Sequence, residues 1–502
     1  MNQTTQNTKH MSEIIDLGDQ RLPPAWHEKH STDLSHGEWG QRVHTSGPRG
    51  QVLGALRLLL NQAQHVAVVC SFLLAEETLE QAILDASARG VRVYIMVASE
   101  ARLSNDSLRE FDRMTHEHHK KLLGVLAGKV LVRSANHFHA KMLLIDPMGP
   151  DAQGMLLTCN LTSAALTRNE ELAVKLHPTE VRAAFDLAGW AMWETAEHEW
   201  TSAKRFRTTK PLGSVTHPTE HATLIATTPE RNTLRREVLK LINQASGTLW
   251  VSSFGWGEDH VVVQRLCERA RDGLQIKVLA RIRPAAMPAL LKLRQAGAEV
   301  IGFKWLHAKA LYSNGQGIVM SANFQTHGMD DGFELGVKLS GRDAEELSRC
   351  LTSWYGRATW KLSAQPKLRE VIGKAQLWES SKLRDVDVIK EERRDLGEHA
   401  VKSAEHLESA RPALPTSDIK GDTIAHQTLF SWINKAPVLA AKAKELFQDD
   451  ASTEPYTPRV FRERKPKRKV VVIESAEEMV RALALKSEIH AKAIVFSQEN
   501  LS

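Results

Sequence analysis

The sequence predicts an α/β protein in which one lobe is written twice, followed by a mainly helical C-terminal extension. Three observations carry that prediction. First, His139-Ala140-Lys141-Met142-Leu143-Leu144-Ile145-Asp146, with Thr158-Cys159-Asn160 and Glu171-Leu172-Ala173-Val174-Lys175-Leu176 after it, returns as His307-Ala308-Lys309-Ala310-Leu311-Tyr312-Ser313-Asn314, with Ser321-Ala322-Asn323 and Glu334-Leu335-Gly336-Val337-Lys338-Leu339. Second, Asn precedes Glu by eleven residues in both copies. Third, each copy follows the same alternation of helix and strand, at a repeat distance that suits a duplicated domain and not a solenoid.

The chain of 502 residues is long enough for two or three domains, and 42% hydrophobic with 25% charged residues is ordinary for a globular protein. No run of about 18 apolar residues suggests a spanning helix, and the polar N-terminus does not resemble a signal peptide; the expected compartment is the cytoplasm. Cys70, Cys159, Cys267 and Cys350 lie far apart with no CxxC spacing, which predicts reduced, buried thiols instead of a disulfide frame or zinc site.

Residues 1–45 are polar, with Pro23-Pro24 and no sustained period, and read as a flexible arm; the irregular spacing of His10, His27, His30, His36 and His44 argues against a metal site. The first lobe is expected over 46–210. Gln51 to Leu60 is helical in pattern, Val66 to Phe72 reads as a buried strand, Glu77 to Ala88 as an amphipathic helix closed by Gly90, and Val91 to Val97 as the next strand: a β-α-β unit. Leu108 to Leu126 is a basic helical stretch that reads as a solvated surface helix. The second lobe, 211–365, repeats the order from Leu234. Asn61-Gln62-Ala63 corresponds to Asn243-Gln244-Ala245, and Ser71-Phe72 to Ser253-Phe254. Trp190, Trp193, Trp200, Trp354 and Trp360 follow the Glu-containing strands at a spacing that suits core or inter-lobe packing.

After Pro366 the repeat ends. Residues 366–450 read as a helical extension and 451–469 as a basic linker. The last segment, 470–502, reads as strand, helix and strand, with a capping box at Ser475 and Glu478. Arg459, Arg462, Arg464, Lys465, Lys467, Arg468 and Lys469 set against Glu454 and Glu463 give 7 − 2 = +5 of the chain's net +6, so this is the candidate segment for following a nucleic-acid backbone.

In an extended segment side chains two apart share a face, so His139 points with Lys141 and His307 with Lys309. Two basic groups side by side call for an anion, and a phosphate diester supplies one. Lysine neutralises its oxygens, while Asn160, Asn323, Thr158 and Ser321 offer hydrogen bonds. Two such sets facing each other place one histidine to attack phosphorus and the other to protonate the leaving oxygen, with Glu171 and Glu334 placed to fix the imidazole tautomers. This chemistry calls for no cofactor and no metal.

At these residues the chain resembles the phospholipase D superfamily, whose signature is HxKxxxxD followed by a Gly/Ser-x-Asn segment. His139, Lys141, Asp146 and Asn160 match the first copy; His307, Lys309, Ser321 and Asn323 match the second, with Asn314 where the Asp belongs. The resemblance, over residues 50–360, implies two pseudo-twofold-related α/β/α sandwich lobes sharing one site, and phosphodiester cleavage through a phosphohistidine. His139 is the expected nucleophile, since its motif is complete. Asn160-Leu161-Thr162 and Asn169-Glu170-Glu171 resemble the nuclease-like branch, some of whose bacterial members act in defence. A DNA nuclease with a protein partner at the C-terminal region is the expectation; a phosphatidyltransferase and a non-catalytic nucleic-acid-binding protein are the alternatives.

Overall fold

A computed structural model of the chain describes residues 7–32, 40–47, 51–99, 103, 110–202, 205–401, 459–460, 470–473 and 493–496. Two compact units are present: Leu22–Pro366 with Val371–Asp387, and Met1–Arg21 with Lys367–Glu370 and Val388–Ser502.

The larger unit holds two sheets with one plan. In the first, parallel strands Leu131–Ala135, Arg92–Ala98 and Val66–Cys70 continue into antiparallel Met142–Ile145, Gln153–Leu157 and Leu172–Lys175. In the second, Glu299–Phe303, Gln275–Arg281 and Thr248–Ser253 continue into Ala310–Ser313, Gln316–Met320 and Glu334–Ser340 in the same order. Each parallel step needs a crossover, and the helices Glu77–Ala88 and Val261–Arg271 supply the first of these in each lobe.

Strand alternation sorts the core into layers. Val68, Cys70, Leu144, Leu156 and Val174 of the first sheet share one core with Leu279, Ile301, Ala310, Val319 and Val337 of the second. Helices Pro178–Trp190 and Gly341–Arg357 complete it. The alternate residues Ala67, Val69, Leu143 and Ile145 turn to the outer helices Gln51–Gln62 and Glu77–Ala88, and Val251, Val278, Leu311 and Ile318 to Thr233–Gln244 and Val261–Arg271. A period of two, buried on both faces, is why these strands read as nearly continuous apolar runs. Trp190 stacks on Phe333 of the other lobe with ring centroids 6.3 Å apart, and Trp354 is fully buried. All four cysteines are buried and unpaired.

The flexible-arm expectation is corrected where the arm is described. Ala25–Glu28 is inserted in the second sheet between Trp360–Ser363 and Ala375–Glu379, with Ala25 and Trp26 fully buried. Val43–Thr45 closes the first sheet against Leu172–Lys175. Before it, Arg42 joins the lobes: its guanidinium pairs with Glu180 at 2.6 Å and with Asp343, while Glu346 accepts the amides of Gln41, Arg42 and Val43, each at 3.0 Å. These short strands carry too few residues to show a period, so the sequence reads them as coil.

The helical expectation for 366–450 also fails where it is described: Ala375–Glu379 and Lys382–Val386 form a hairpin, and Glu391–Val401 is a strand. Ala375 and Leu377 are buried on alternate positions, a period of two that the surrounding charges obscure. Glu110–Leu126 is an amphipathic surface helix, with Arg113, Glu117, Lys120 and Lys121 exposed and His119, Leu122, Leu123 and Leu126 buried against the first lobe.

In the smaller unit Asn7–Asp16 pairs antiparallel with Glu391–Val401, and Val470–Ile473, Ala493–Phe496 and Arg459–Val460 form a three-stranded sheet. No helix among the described residues is long and apolar enough to cross a membrane.

Candidate active site

The lobes meet where the two repeated stretches enter their sheets. Backbone hydrogen bonds tie His139 N to Phe333 O at 3.0 Å and Phe333 N to His137 O at 2.7 Å. Their counterparts tie His307 N to Glu170 O at 3.0 Å and Glu170 N to Trp305 O at 3.1 Å. Each segment before a histidine therefore runs beside the segment that starts the other lobe's Glu strand.

That seam exchanges the carboxylates. His139 Nδ1 lies 2.6 Å from Glu334 Oε1, and His307 Nδ1 lies 2.7 Å from Glu171 Oε1. Each carboxylate is held from behind: Thr158 Oγ1 donates to Glu171 Oε2 at 2.7 Å, and Ser321 Oγ donates to Glu334 Oε2. The sequence expectation that Thr158 and Ser321 face a phosphate is thereby corrected, since both hydroxyls are fully buried and committed to the glutamates.

Lys141 and Lys309 are both fully buried. Their ammonium groups stand 2.8 and 2.9 Å from Nδ1 of His139 and His307, and Lys309 also donates to Thr158 O, across the seam, at 3.0 Å. Burial drives both imidazoles down to about 4; the paired glutamate opposes this and the neighbouring lysine adds to it. Burial likewise drives Lys141 to about 7 and Lys309 to about 8, against the pull of the glutamates. Burial pushes Glu171 up, but His307 and Lys309 outweigh it and hold it below its ordinary value.

Asn323 Oδ1 accepts from Gly255 N at 3.0 Å, which directs its amide NH₂ away from that contact, while Asn160 Oδ1 is buried without a hydrogen-bond partner among the described residues. A small cleft opens beside His139, lined by Asn136, His137, Asn323, Gln325, His327 and Asp331 among others. Phe72 and Phe254 pack on the rings of His139 and His307 at centroid distances of 4.9 and 4.6 Å. Sequence reasoning noted the repeated Ser-Phe pairs but gave the phenylalanines no role; their recurrence at one register was the available signal.

Asp146 is not at the site. At the far end of its strand, roughly 20 Å of extended chain from His139, its carboxylate accepts the amides of His65, Val66 and Gln64 at 2.7, 2.8 and 2.8 Å. Asn314 occupies the matching turn, bonded to Ser246. Of the basic segment, Arg459 falls in a described strand, while Arg462, Arg464, Lys465, Lys467, Arg468 and Lys469 lie outside the described residues. No group of three or more metal-binding side chains occurs among the described residues.

A family profile described as "Cardiolipin synthase, PLD-like domain" matches residues 56–193. No curated protein sequence matches the chain. Among solved structures, phosphatidylserine synthase of Haemophilus influenzae Rd KW20 is 11% identical, with 69% of this chain and 92% of that chain covered and a TM-score of 0.48. Polyphosphate kinase of Porphyromonas gingivalis is 13% identical over 60% and 48% of the two chains, with a TM-score of 0.40. The phospholipase D family member Nuc of Salmonella typhimurium is 16% identical over 33% and 98%, with a TM-score of 0.25. Similarities this distant carry no argument about substrate. The profile match falls on the first lobe, which carries the His139 half-site, and the second lobe repeats its plan: residues 56–193 are similar to a PLD-like domain.

Proposed function

We propose that the chain is a metal-independent nuclease that cleaves DNA through a phosphohistidine, with a role in bacterial defence or DNA processing. The observation that carries the chemistry is the crossed pair of His–Glu contacts. A buried imidazole that is neutral at pH 7 and fixed at Nδ1 keeps Nε2 as its nucleophilic nitrogen. In this reading His139 attacks phosphorus while Nδ1–H donates to Glu334. The proton on the leaving oxygen comes from His307, which Glu171 supports as a cation. The free site holds its protons on Lys141 and Lys309, each within reach of an imidazole, and the entering diester's negative charge draws one onto His307. Water, deprotonated by His307, then cleaves the phosphorus–nitrogen bond and restores both rings.

For the substrate, the polar lining of the cleft beside His139 supports a nucleotide over acyl chains, and the basic segment 459–469 supports a polyanion. Asn160 and Asn323 remain as candidate contacts to the diester. The C-terminal region is the candidate surface for a protein partner. A second reading, transfer of a phosphatidyl group, is favoured by the description attached to the matching family profile.

Labelled single- and double-stranded DNA, RNA and phosphatidylcholine, incubated in EDTA beside His139→Ala and His307→Ala, separate the readings. DNA cleavage by the wild type alone is the expected result. Choline release without DNA cleavage establishes the lipid reading, and salt-sensitive binding without turnover a non-catalytic one.

A further inference from the structure

The half-sites are near copies in their buried groups but not at their rims. With His139 set on His307, Trp305 stands where the first lobe has His137, and Lys304 where it has Asn136. With Glu171 set on Glu334, Arg168 stands where the other side has Asp331. The strand pairings that align Met96 with Leu279 align Ala98 with Arg281. Three cations on the His307 side thus match an amide, an acid and an alanine on the His139 side.

These cations lie on aromatic faces. The Arg168 guanidinium is 3.8 Å from the centroid of Trp305, with Arg281 at 5.0 Å and Lys304 at 5.3 Å from the same ring. Arg283 is 4.3 Å and Arg281 5.3 Å from Phe254, whose ring packs on His307. The charge of Arg281 is also felt at Lys309, where it adds to the downward shift that burial imposes. Phe254, Trp305 and the three arginines are all partly exposed. A guanidinium carries five N–H donors, so one stacked on a ring and already bonded at one edge, as Arg168 is to Asn169 Oδ1 at 3.4 Å, has others with which to meet an anion, and a flat stack of guanidinium and indole receives a nucleobase.

We propose that this patch is the subsite for the nucleotide flanking the scissile phosphate, so that a single strand of DNA runs from the reacting phosphorus over the His307 side. This rests on the nuclease reading and deepens it. Arg281 and Arg283 hold the next phosphate, and its base lies against the Trp305–Arg168 stack, a contact that a base paired in a duplex does not make. The less charged cleft beside His139 takes the other, smaller side of the diester.

The test uses the full chain with His139→Ala added to stop turnover, and anisotropy of a short labelled single-stranded DNA at several salt concentrations. Arg281→Gln with Arg283→Gln is expected to lower the slope of log affinity against log salt by about 0.7, the value for the one phosphate of a single strand that the two arginines hold together. Trp305→Ala is expected to weaken binding by about 5- to 150-fold with the slope unchanged. Trp305→Phe retains most of the affinity and serves where the alanine variant does not fold. DNA cleaved by the wild type, with no effect of these substitutions on binding, overturns the subsite alone. DNA bound with these effects but never cleaved keeps the subsite and removes the nuclease reading. Binding to phosphatidylglycerol vesicles in preference to the oligonucleotide overturns both.

Discussion

Asp146 and Asn314 sit in left-handed backbone, at φ 45° and 50°, each closing the turn that follows a motif strand. Both residue types tolerate that conformation and bond nearby backbone groups, which is why one replaces the other without touching the reacting atoms. Asp146→Ala is expected to cost about 1–3 kcal/mol of stability through the three amides it abandons, with a lowered Tm and little change in KM, whereas Asn314→Asp leaves kcat within about twofold. A large loss of kcat in Asn314→Asp at unchanged Tm would place the position in the chemistry. Burial sets the pH behaviour. An attacking imidazole with a pKa of about 4 is neutral above that pH, so kcat/KM rises as pH climbs through about 4. The lysines lose their charge and the site its proton reserve between about 7 and 8, so kcat/KM falls there. An acid limb near 6.5 or an alkaline limb near 10 would mean that the groups are hydrated, not buried. The residue types were legible from the sequence because chemistry restricts them. The roles of Asp146, Thr158 and Ser321 were not, because a motif position says nothing about which way its side chain turns.

At the scale of elements, strands Leu172–Lys175 and Glu334–Ser340 matter because each is led by, or begins with, the carboxylate that serves the opposite lobe's histidine. Spacing placed Glu171 and Glu334 near imidazoles; it did not say whose, since the crossing depends on hydrogen bonds at Phe333 and Glu170 between segments far apart in sequence. The crossing makes the two substitutions unequal. With His139 as nucleophile, Glu334→Gln weakens the attacking ring, whereas Glu171→Gln weakens His307 both as the acid that forms the phosphohistidine and as the base that hydrolyses it; acid-labile, base-stable label is expected on His139 in either variant. Rapid quench with labelled substrate measures this, and label on His307 reverses the assignment. The completeness of the first motif is no longer a reason for choosing His139, since Asp146 is remote from it. The strands Ala25–Glu28 and Val43–Thr45 escaped prediction for a different reason: three or four residues acquire strand character only from the sheet edges they join.

In the larger unit both sheets drain into one core, with helices Pro178–Trp190 and Gly341–Arg357 between them and Arg42 binding Glu180 of one helix and Asp343 of the other. Lobes that share their largest apolar layer do not unfold separately. Calorimetry is expected to show one transition for both lobes, lowered as a whole by Arg42→Met, which leaves Glu180 buried without its cation; two resolved transitions, of which only one responds, would contradict this.

The sequence by itself determined that a lobe is duplicated, where its β-α-β units fall, and which imidazoles, ammonium groups, amides and carboxylates recur, because periodicity and spacing are local properties of a chain. Which glutamate serves which histidine, that the hydroxyls brace carboxylates, and that one rim is cationic and aromatic while the other is not were decided by the tertiary structure alone. Each depends on groups brought together across the seam from opposite halves of the chain, where sequence separation no longer measures distance.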